Sequence, residues 1–383
     1  MKIVFDRKKI VDAVAPLMNS VSLKNSLGAA EGILIDAAAD GTCTLTTFDL
    51  EKGTRLCISA QVEEAGCHIL NAQKFAQTVR VMEGETVTLT VSDKEQACVS
   101  SGKSSHRMNS LPGSSFPELP RLETENGFEI GQSVLKRMIG KAMYAMAVND
   151  QRPILNGCYF KVSGDGLLVV SCDSFKMSRC TVQTEVENRN RDGSALNFSF
   201  IIPTKTVNEL YKMLKDDERE TVRIHMSRKN IVFQFKDLTF FSRLIDGLYI
   251  DFDKIISKNH RTFVTVNRER MIAALERAAL VTEEHVAGSV RAHVKLHFDG
   301  DLVRISAVST LGETYDEVPI EHDGEDLLIA FNNRFLIDSL KATDADEVRI
   351  SLTTPLTSIN IEPVPEEEGK TELFMLLPVR MKD

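Results

Sequence analysis

Pairs of lysine and arginine recur at helical spacing along the 383 residues of this chain. Side chains seven or four residues apart share a helix face, because seven residues make almost two turns and four make about one. Cations on such a face can contact phosphates without reading bases. A solvated surface is the simpler interpretation of any one pair, but their recurrence favours one basic surface. The pairs are Lys205 with Lys212, Arg334 with Lys341, Arg270 with Arg277, Arg137 with Lys141 and, at a less regular spacing, Lys74 with Arg80.

No sequence pattern of a common enzyme accompanies these cations. The chain lacks a G-x-x-x-x-G-K-[ST] phosphate loop, a G-x-G-x-x-G turn after a strand, a G-x-S-x-G nucleophile elbow and an H-E-x-x-H zinc motif. His293 and His297 have the nearest metal-like spacing, but they alternate with Val294 and Leu296 and so belong to the polar face of a strand. We predict no catalytic residue, no metal site and no cofactor.

Neighbouring carboxylates occur at Asp216-Asp217, at Glu283-Glu284 and at residues 366–368. All three groups lie in or beside predicted turns or helix ends. A solvated surface is the favoured interpretation. The alternative is the carboxylate metal site of a nucleic-acid enzyme.

The composition indicates a soluble protein of the cytoplasm. Its net charge of −9 and pI near 5.5 mean that any basic surface must be local. Tryptophan is absent and aromatic residues make up 6%, which argues against stacking platforms for single strands. Seven cysteines without a C-x-x-C pair favour reduced thiols. The sequence begins without a signal-peptide pattern, and no apolar run approaches the roughly 18 residues of a membrane span.

A strand-plus-helix pattern, recurring about every 130 residues and twice in each repeat, carries the cations. Each copy is a short apolar strand, a polar or proline break and an amphipathic helix. We therefore predict an α+β fold of three similar domains, at residues 1–123, 124–257 and 258–383, each with two helices on antiparallel sheets. The copies begin at Phe5, Phe128 and Phe263 for the first version and at His68, Phe200 and Leu327 for the second.

Between the helices the pattern alternates with period two, which is typical of antiparallel strands. Residues 41–62 predict two strands around a turn at Lys52-Gly53, and residues 85–102 predict a hairpin across residues 92–94. Each helix buries one stripe on its sheet and leaves its other face free. Six helices are therefore expected on one side of a continuous sheet surface.

The C-terminal segment LFMLLPVRMKD carries an apolar run past a proline. Residues 373–376 predict a buried last strand. Residues 377–381 approach the chain end, where burial is harder. They either complete the core or line a groove for a partner peptide.

The whole chain resembles the bacterial sliding clamp family, the beta subunits of DNA polymerase III. The resemblance rests on the order and spacing of MKIVFDRKKI, LPGSSFPELP, RPILNGCYF, VVSCDSFKMS, IIPTKTVNEL, SRLIDGLYIDF, AFNNRFLIDSL and MLLPVRM. It implies the DNA clamp fold, in which three domains make half of a closed ring. It also implies a head-to-tail homodimer that surrounds double-stranded DNA, with helices lining the hole and sheet edges paired across the interface.

The resemblance further implies a processivity factor in DNA replication, a non-catalytic subunit of a DNA-directed DNA polymerase holoenzyme. The ring would tether the replicative polymerase to DNA without sequence specificity. Opening would need an ATP-driven clamp loader, because the chain has no phosphate loop. Loader, polymerase and repair or translesion polymerases would bind one groove through short linear peptides. The rivals are a repeat scaffold that binds proteins but no DNA, and the metal-dependent enzyme.

Site residues are carried over from the family by position. The partner-peptide groove comprises Leu155, Cys172, Ser174, Phe175, Met177, Ile250, Ile255, Ser358, Met375, Leu377, Pro378, Val379 and Arg380. The dimer interface comprises Lys103, Ser105, His106 and Met108 on one side, and Leu280, Val281, Glu313 and Glu317 on the other. The DNA-binding group combines Lys24, Asn149, Arg152 and Lys205 with the helix cations Lys74, Arg80, Arg137, Lys141 and Lys212.

The chain departs from the family pattern at the groove rim and the dimer edge. The family commonly has Gly-His-Arg-Leu where this chain has residues 174–177, Ser-Phe-Lys-Met, and often has proline at the position of Ile250. A more aromatic and arginine-rich dimer edge is common where this chain has Ser105 and His106. We therefore expect this chain to differ from the family in its peptide preference and in the strength of its dimer.

Overall fold

Seven helices, six of them in the predicted strand-plus-helix copies, are present in the computed structural model, which describes residues 1–22, 28–282, 293–310 and 312–381. All six predicted copies of the pattern are therefore confirmed as strand followed by helix. Within these ranges the helices are α1 (Arg7–Leu17), α2 (Ala72–Val81), α3 (Gln132–Met143), α4 (Thr204–Met213), the short α5 (Phe252–Ile255), α6 (Arg268–Thr282) and α7 (Asn333–Lys341).

Antiparallel strands make up the rest of the fold. In the first part of the described chain they are β1 (Lys2–Asp6), β2 (Gly32–Ala37), β3 (Thr42–Phe48), β4 (Lys52–Ser59), β5 (Gln61–Glu64), β6 (Gly66–Asn71), β7 (Thr86–Val91), β8 (Gln96–Ser101) and β9 (Ser104–Pro112). The next group is β10 (Gly127–Gly131), β11 (Gly157–Ser163), β12 (Gly166–Cys172), β13 (Lys176–Gln183), β14 (Glu187–Asn188), β15 (Asn197–Pro203), β16 (Thr221–Met226), β17 (Asn230–Gln234) and β18 (Leu238–Arg243). The last group is β19 (Thr262–Asn267), β20 (Val294–Asp299), β21 (Leu302–Ser309), β22 (Gly312–Asp323), β23 (Leu327–Phe331), β24 (Glu347–Leu352), β25 (Ile359–Val364) and β26 (Lys370–Leu376).

Short polar side chains start four of the helices. The side chains of Asp6, Asn71, Asn267 and Asn332 each accept a hydrogen bond from the backbone N–H three residues on, at 2.9–3.3 Å. Asp6 and Asn267 are 261 residues apart, and so are Asn71 and Asn332. The equal spacing matches the first and third repeats residue by residue at both helix starts.

The described residues form two compact units, each built on one sheet. Unit 1 comprises Met1–Gln132, Glu187–Ser194 and Asp217–Leu244, with the strand order β14-β10-β16-β17-β18-β4-β3-β2-β6-β9-β8-β7-β1-β5. Unit 2 comprises Ser133–Val186, Ala195–Asp216 and Ile245–Asp383, with the order β15-β11-β12-β13-β26-β25-β24-β19-β22-β21-β20-β23. The strands between residues 124 and 257 are thus shared between the two sheets.

Each unit buries its own apolar core beneath its helices. In unit 1, Ile10 of α1 and Phe75 of α2 pack with strand residues such as Phe5. In unit 2, α6 buries Leu275 and α7 buries Leu336. Among the helices of the described ranges, none is both long and apolar enough to cross a membrane.

One predicted turn lies at the wrong residues. We predicted a turn at Lys52-Gly53, but residues 49–51 form it and Lys52 already begins β4. The Asp49 carboxylate accepts the backbone N–H of residues 51 and 52 at 3.0 and 2.8 Å, which closes the turn without a glycine. Gly53 lies within β4, where a side chain would not fit because a Cβ there would be 2.3 Å from the ring of Phe241. This glycine therefore marks close packing rather than a turn.

A carboxylate network crosses the sheet of unit 1. Glu129 on β10 accepts hydrogen bonds from Thr221 Oγ1 at 2.6 Å, Arg223 Nε at 2.9 Å and Arg189 Nη2 at 2.7 Å. Burial raises the pKa of Glu129, but the hydrogen bonds from Thr221 and the two arginines outweigh it and lower the pKa to about 2. The folded protein therefore favours the ionised form.

We expect Glu129→Gln to lower the free energy of unfolding at pH 7 by about 1–2 kcal/mol, less than the full pKa difference because the arginines are partly exposed. The folded pKa lies below the ordinary value of 4.5. The carboxylate's contribution is therefore complete above about pH 4.5 and is lost as the pH falls towards 2. Urea titrations at a series of pH values should show the difference between the two proteins shrinking in that window.

Glu125→Gln is the matched control for this measurement. Glu125 pairs with Arg191 at 2.7 Å, but both side chains are more than half exposed. Such a pair contributes about 0–1 kcal/mol. Equal losses in the two variants, or a Glu129→Gln effect that does not vary with pH, would contradict the assignment.

Candidate interaction sites

Four of the predicted groove residues lie in one buried apolar cluster of unit 2. Leu155, Cys172, Met177 and Met375 are at most 4% exposed and pack together. Met177 on β13 and Met375 on β26 are directly paired across the antiparallel ladder. The other members are Ala147 and Val170, surrounded by Ile154, Tyr159, Leu168, Tyr249, Ile250, Phe252, Ile256 and Leu373. The structure thus brings Ile250 to the same cluster.

Large apolar side chains remain exposed on the same elements. Phe175, Ile255, Leu377 and Val379 are 58, 45, 38 and 36% exposed. Such a concentration of exposed apolar side chains next to a buried cluster is typical of a binding surface. Of the remaining predicted groove residues, Ser174 and Pro378 are half-buried, Arg380 is exposed and Ser358 is buried.

Two backbone hydrogen bonds fix the C-terminal segment as a wall of this surface. The Leu377 N–H donates to the carbonyl of Phe175, and the Val379 N–H donates to the carbonyl of Ala330, both at 2.8 Å. Residues 374–376 are buried, whereas Leu377 and Val379 are exposed. Residues 377–381 therefore leave the core, and of the two sequence-based alternatives the structure supports the one that leaves them at a surface.

A three-residue turn between β12 and β13, residues 173–175, shapes the rim of this surface. The Asp173 carboxylate accepts the backbone N–H of Phe175 and of Lys176, at 3.0 and 2.9 Å, and Ser174 has φ +81°. The Lys176 ammonium pairs with Asp173 and lies 4.3 Å from the ring centroid of Phe335 on α7. Phe175 also contacts Phe335, with ring centroids 6.2 Å apart. Phe175 and Lys176, two of the residues that depart from the family pattern, are therefore held by contacts with α7.

The chemistry of the cluster is suited to apolar contact. Burial raises the pKa of the Cys172 thiol and of the Tyr249 hydroxyl, so both groups are protonated at neutral pH. Tyr249 stacks on Tyr159 with centroids 5.2 Å apart, and Phe252 lies 6.1 Å from the same ring. Our sequence reasoning missed these three aromatic residues. The available signal was the position of Tyr249 and Phe252 beside Ile250.

The loop after α3 holds Asn149 and Arg152 at the surface. The Arg152 guanidinium binds both carboxylate oxygens of Asp150, at 3.0 and 3.1 Å, and donates to the Ser174 hydroxyl. Asn149 is exposed and has φ +60°. Arg152 thus contacts Ser174, a residue of the predicted groove, and its role towards DNA stays a prediction.

Four of the predicted DNA-binding cations are exposed on helices. Lys74 and Arg80 lie on α2, and Lys205 and Lys212 lie on α4, where Lys212 pairs with Glu209 at 3.1 Å. Exposed ammonium and guanidinium groups can exchange a surface carboxylate for a phosphate at little cost. Lys24, which was also predicted to bind DNA, lies outside the described residues, as do Glu283 and Glu284 of the neighbouring carboxylates.

Arg137 and Lys141 on α3 have a different environment. Lys141 is 13% exposed and pairs with Glu372 at 2.6 Å. Both cations line a cavity of about 790 Å³ whose other walls carry carboxylates, among them Asp346 and Glu362. The charge of Lys141 is therefore compensated within the chain. Its assignment to DNA binding stays a prediction that this ion pair disfavours.

Two sheet edges carry five of the eight predicted dimer residues, and Leu280 and Val281 lie on α6. Residues 104–109 of β9 pair with β8 on one side, and residues 312–319 of β22 pair with β21 on one side. No other strand of the described ranges pairs with the opposite edge of either segment. Unpaired edges offer rows of free N–H and C=O groups to another strand.

The two edges carry complementary charges. Lys103 and His106 are exposed beside Arg107 on one edge, and Glu313 and Glu317 are exposed on the other. Sequence reasoning missed Arg107, although its place within the predicted segment was a signal. Of the other predicted interface residues, Ser105 is exposed, Met108 and Val281 are half-buried, and Leu280 is 77% exposed.

Comparison with known protein families shows to which family the chain belongs. Models of the DNA polymerase III beta subunit match residues 1–120 as the N-terminal domain, 129–251 as the central domain and 253–377 as the C-terminal domain. The chain belongs to the bacterial sliding clamp family. Its three-domain α+β architecture is therefore that of the clamps, while the domain limits at residues 123 and 257 stay predictions.

Individual clamps are similar to the chain along its whole length. The beta sliding clamp of Bacillus subtilis is 28% identical over 392 residues, which cover 99% of this chain and 100% of the relative. That of Escherichia coli is 28% identical over 354 residues, covering 91% and 92%. The crystal structure of the Bacillus subtilis clamp has a TM-score of 0.91 at 27% identity, with 100% of both chains covered. The Streptococcus pneumoniae beta chain has a TM-score of 0.90 at 25% identity, covering 99% and 100%.

Family membership answers the question of function class. Sliding clamps are non-catalytic processivity factors of DNA polymerase III, so this chain is a replication protein rather than an enzyme. It also implies DNA and a polymerase as partners. The metal-dependent enzyme and the scaffold without DNA are set aside on this ground.

Proposed function

We propose that two copies of the chain close head to tail into a ring around double-stranded DNA, and that the apolar groove of unit 2 tethers the polymerase to it. The observation that carries this proposal is the pair of unpaired edges, β9 and β22. Each sheet contains a junction in which the last strand of one domain pairs with an inner strand of the preceding domain: β18 with β4, and β26 with β13. Strand β9 is the last strand of the first domain, and β22 is the third-domain counterpart of β4 and β13. A second copy supplies each with its partner.

The internal repeat supports a specific register for this proposed third junction. In the first junction, Gly53 of β4 is paired with Phe241 of β18. The β8–β9 and β17–β18 hairpins have equal length, which puts Arg107 at the position of Phe241. The helix caps show that the first and third repeats begin 261 residues apart. The β20–β21 turn has one residue fewer than the β2–β3 turn, so this offset is one residue smaller in the strands that follow. Glu313 therefore occupies the position of Gly53. Arg107 therefore stands opposite Glu313 of the second copy.

The second junction gives the same register independently. There Met177 of β13 is paired with Met375 of β26. The same strand counting places Arg107 at the position of Met375 and Glu313 at that of Met177. Directly opposed side chains on an antiparallel pair have Cβ atoms about 5 Å apart, so an arginine and a glutamate there attract each other.

The surface beside β9 has room for the end of a partner helix. A cavity of about 870 Å³ lies between α2 and β9, lined by Val81, His106 and Met108 among others. Val81 and Leu280 are 76 and 77% exposed, which is unusual for apolar residues of this size. Burying Leu280 of one copy in this cavity of the other would remove both from water.

DNA would be bound through its phosphates. The exposed cations of α2 and α4 offer charge without base-reading geometry, so affinity should be independent of sequence and fall steeply with salt. The net charge of −9 requires that the acidic residues lie elsewhere on the ring. Seven free cysteines fit the reducing cytoplasm as the place of action.

The groove would be shared among partners. An apolar floor with exposed apolar walls suits short linear peptides, which gain affinity from two or three anchoring side chains. We assign to it the replicative polymerase, an ATP-driven clamp loader and the repair or translesion polymerases. Competition for one groove in each copy would then order their access to DNA.

Retention on DNA of different topology tests the proposal. After loading by a clamp loader onto nicked circular DNA, the protein should remain bound through a high-salt wash, and cutting the circle once should release it. Topological linkage explains this result, since a ring leaves only at an end. Equal retention on circular and linear DNA would refute encirclement.

A further inference from the structure

The two junctions within the chain share one backbone geometry. In unit 1 the turn before β4 contains Leu50 with φ +78°, and in unit 2 the turn before β13 contains Ser174 with φ +81°. Each turn has an aspartate that binds a lysine three residues later. Behind the first turn lies a smaller apolar cluster of Phe48, Val232 and Phe241, covered by Leu50 and by residues 116, 119 and 122 of the connector. The first junction is thus an internal reference for the second.

The junctions differ in what they expose. Residue counting from the paired strands matches Phe175 with Glu51, Leu377 with Arg243, Leu248 with Ser114 and Ile255 with Arg121. All eight side chains are exposed. The junction that carries the proposed groove therefore exposes apolar residues at the four positions where its counterpart exposes charged or polar ones. Solvation alone would favour the polar set at both places.

Three of these four apolar residues are already among the predicted groove residues, and Leu248 is the fourth. At 92%, Leu248 is the most exposed large apolar residue of the described chain. It directly precedes Tyr249 and Ile250, both of which pack in the apolar cluster. Gly247 has φ +133°, and a Cβ on it would lie 3.1 Å from Ile154 of the same cluster. The loop that presents Leu248 is therefore anchored on the groove floor.

We propose that Leu248 extends the peptide groove and binds an apolar side chain in the flank of the partner peptide, outside the segment seated over Met177 and Met375. This inference rests on the proposed function of the groove. An isolated exposed leucine is ordinary and needs no partner. Leu248 differs from such a residue, because the two residues that follow it, Tyr249 and Ile250, pack in the apolar cluster of the proposed groove. Partners with an apolar residue in the flank would be selected over those with a polar or charged one.

Site-specific photocrosslinking tests the contact. Benzoylphenylalanine is placed in the full chain at Leu248, at Leu377 or at Ser114, and each protein is irradiated with the purified replicative polymerase of the same organism. We expect crosslinks from positions 248 and 377 and none from position 114, the counterpart in the first junction. Crosslinking from 377 alone would overturn the extension and leave the groove intact. Crosslinking from neither position while the polymerase still binds would overturn the groove itself. Equal crosslinking from 114 and 248 would overturn the distinction between the junctions.

The affinity of Leu248→Ser measures the contribution of the contact. Serine is the residue of the first junction, and a side chain that is 92% exposed can be replaced without disturbing a core. We expect about tenfold weaker binding of the polymerase, as for loss of part of a buried leucine contact. An unchanged dissociation constant would overturn the proposal. Ser114→Leu is the matched reciprocal variant, and it should leave polymerase affinity unchanged.

Discussion

Reversing the charge of Arg107 should convert the proposed dimer into monomers at micromolar concentration. Arg107→Glu would place a glutamate directly opposite Glu313 at each of the two contacts between the copies. Opposed like charges on neighbouring strands repel, and the two symmetric junctions double the cost. We expect the dimer dissociation constant to rise roughly 100-fold. Sedimentation equilibrium over a concentration series gives the constant directly, since the monomer has a mass of 42.7 kDa.

The reciprocal variant makes this test specific to the pair. Glu313→Arg alone should weaken the dimer by a similar factor, and the double variant should recover most of the loss because the charges attract again. Arg219→Glu is the control, since this arginine is 90% exposed and pairs with Asp217 within its own chain. A double variant no tighter than the single ones would show that the register is wrong. A wild-type protein that stays monomeric at high concentration would remove the basis of the ring.

Loss of the dimer should carry over to DNA. A monomer cannot encircle a duplex, so Arg107→Glu should be washed from nicked circular DNA as readily as from linear DNA. The predicted groove residues all belong to unit 2, whereas Arg107 belongs to unit 1. Binding of the isolated polymerase should therefore persist, which separates the two surfaces experimentally.

The repeat and its elements could be predicted from the sequence because they depend on local patterns. Apolar periodicity and the break after each strand predicted six of the seven helices of the described residues, but not the short α5. The structure adds that Asp6, Asn71, Asn267 and Asn332 cap four of them. The C-terminal segment could be singled out as a candidate surface because its apolar run continues past a proline, but the sequence left burial in the core as the alternative. Cys172, Met177 and Met375 were placed in one site only through the family resemblance, since alternation identifies a buried strand face but not the partner across it.

Contacts between distant residues account for what was missed. Lys141 meets Glu372 across 231 positions, so helical spacing alone could not show that its charge is compensated. The turn at residues 49–51 was misplaced because glycine suggests a turn, whereas Gly53 makes room for Phe241. The role that we propose for Arg107 follows from strand register, which appears only when the pairings of β4, β13, β18 and β26 are compared. Composition and periodicity carry no register across domains.

Polar substitution of the C-terminal wall should abolish polymerase tethering while leaving the fold intact. Leu377→Ser with Val379→Ser removes two side chains that are 38 and 36% exposed and keeps the backbone hydrogen bonds to Phe175 and Ala330. Both side chains would be fully buried beneath a bound peptide. Losing two such contacts costs roughly 2–4 kcal/mol, so we expect polymerase affinity to fall about 100-fold.

The controls decide whether that loss reports on the groove. Deleting residues 377–383 would also free the Phe175 and Ala330 carbonyls, so a deletion alone could act by loosening the rim, whereas the double serine variant cannot. Leu111→Ser is the matched variant, because Leu111 is 42% exposed and lies on β9 of unit 1. Fluorescence anisotropy with labelled polymerase should show weak binding for the double variant and wild-type binding for Leu111→Ser, with equal thermal stability throughout. If the double variant binds the polymerase normally, the tether does not depend on Leu377 and Val379 and lies elsewhere.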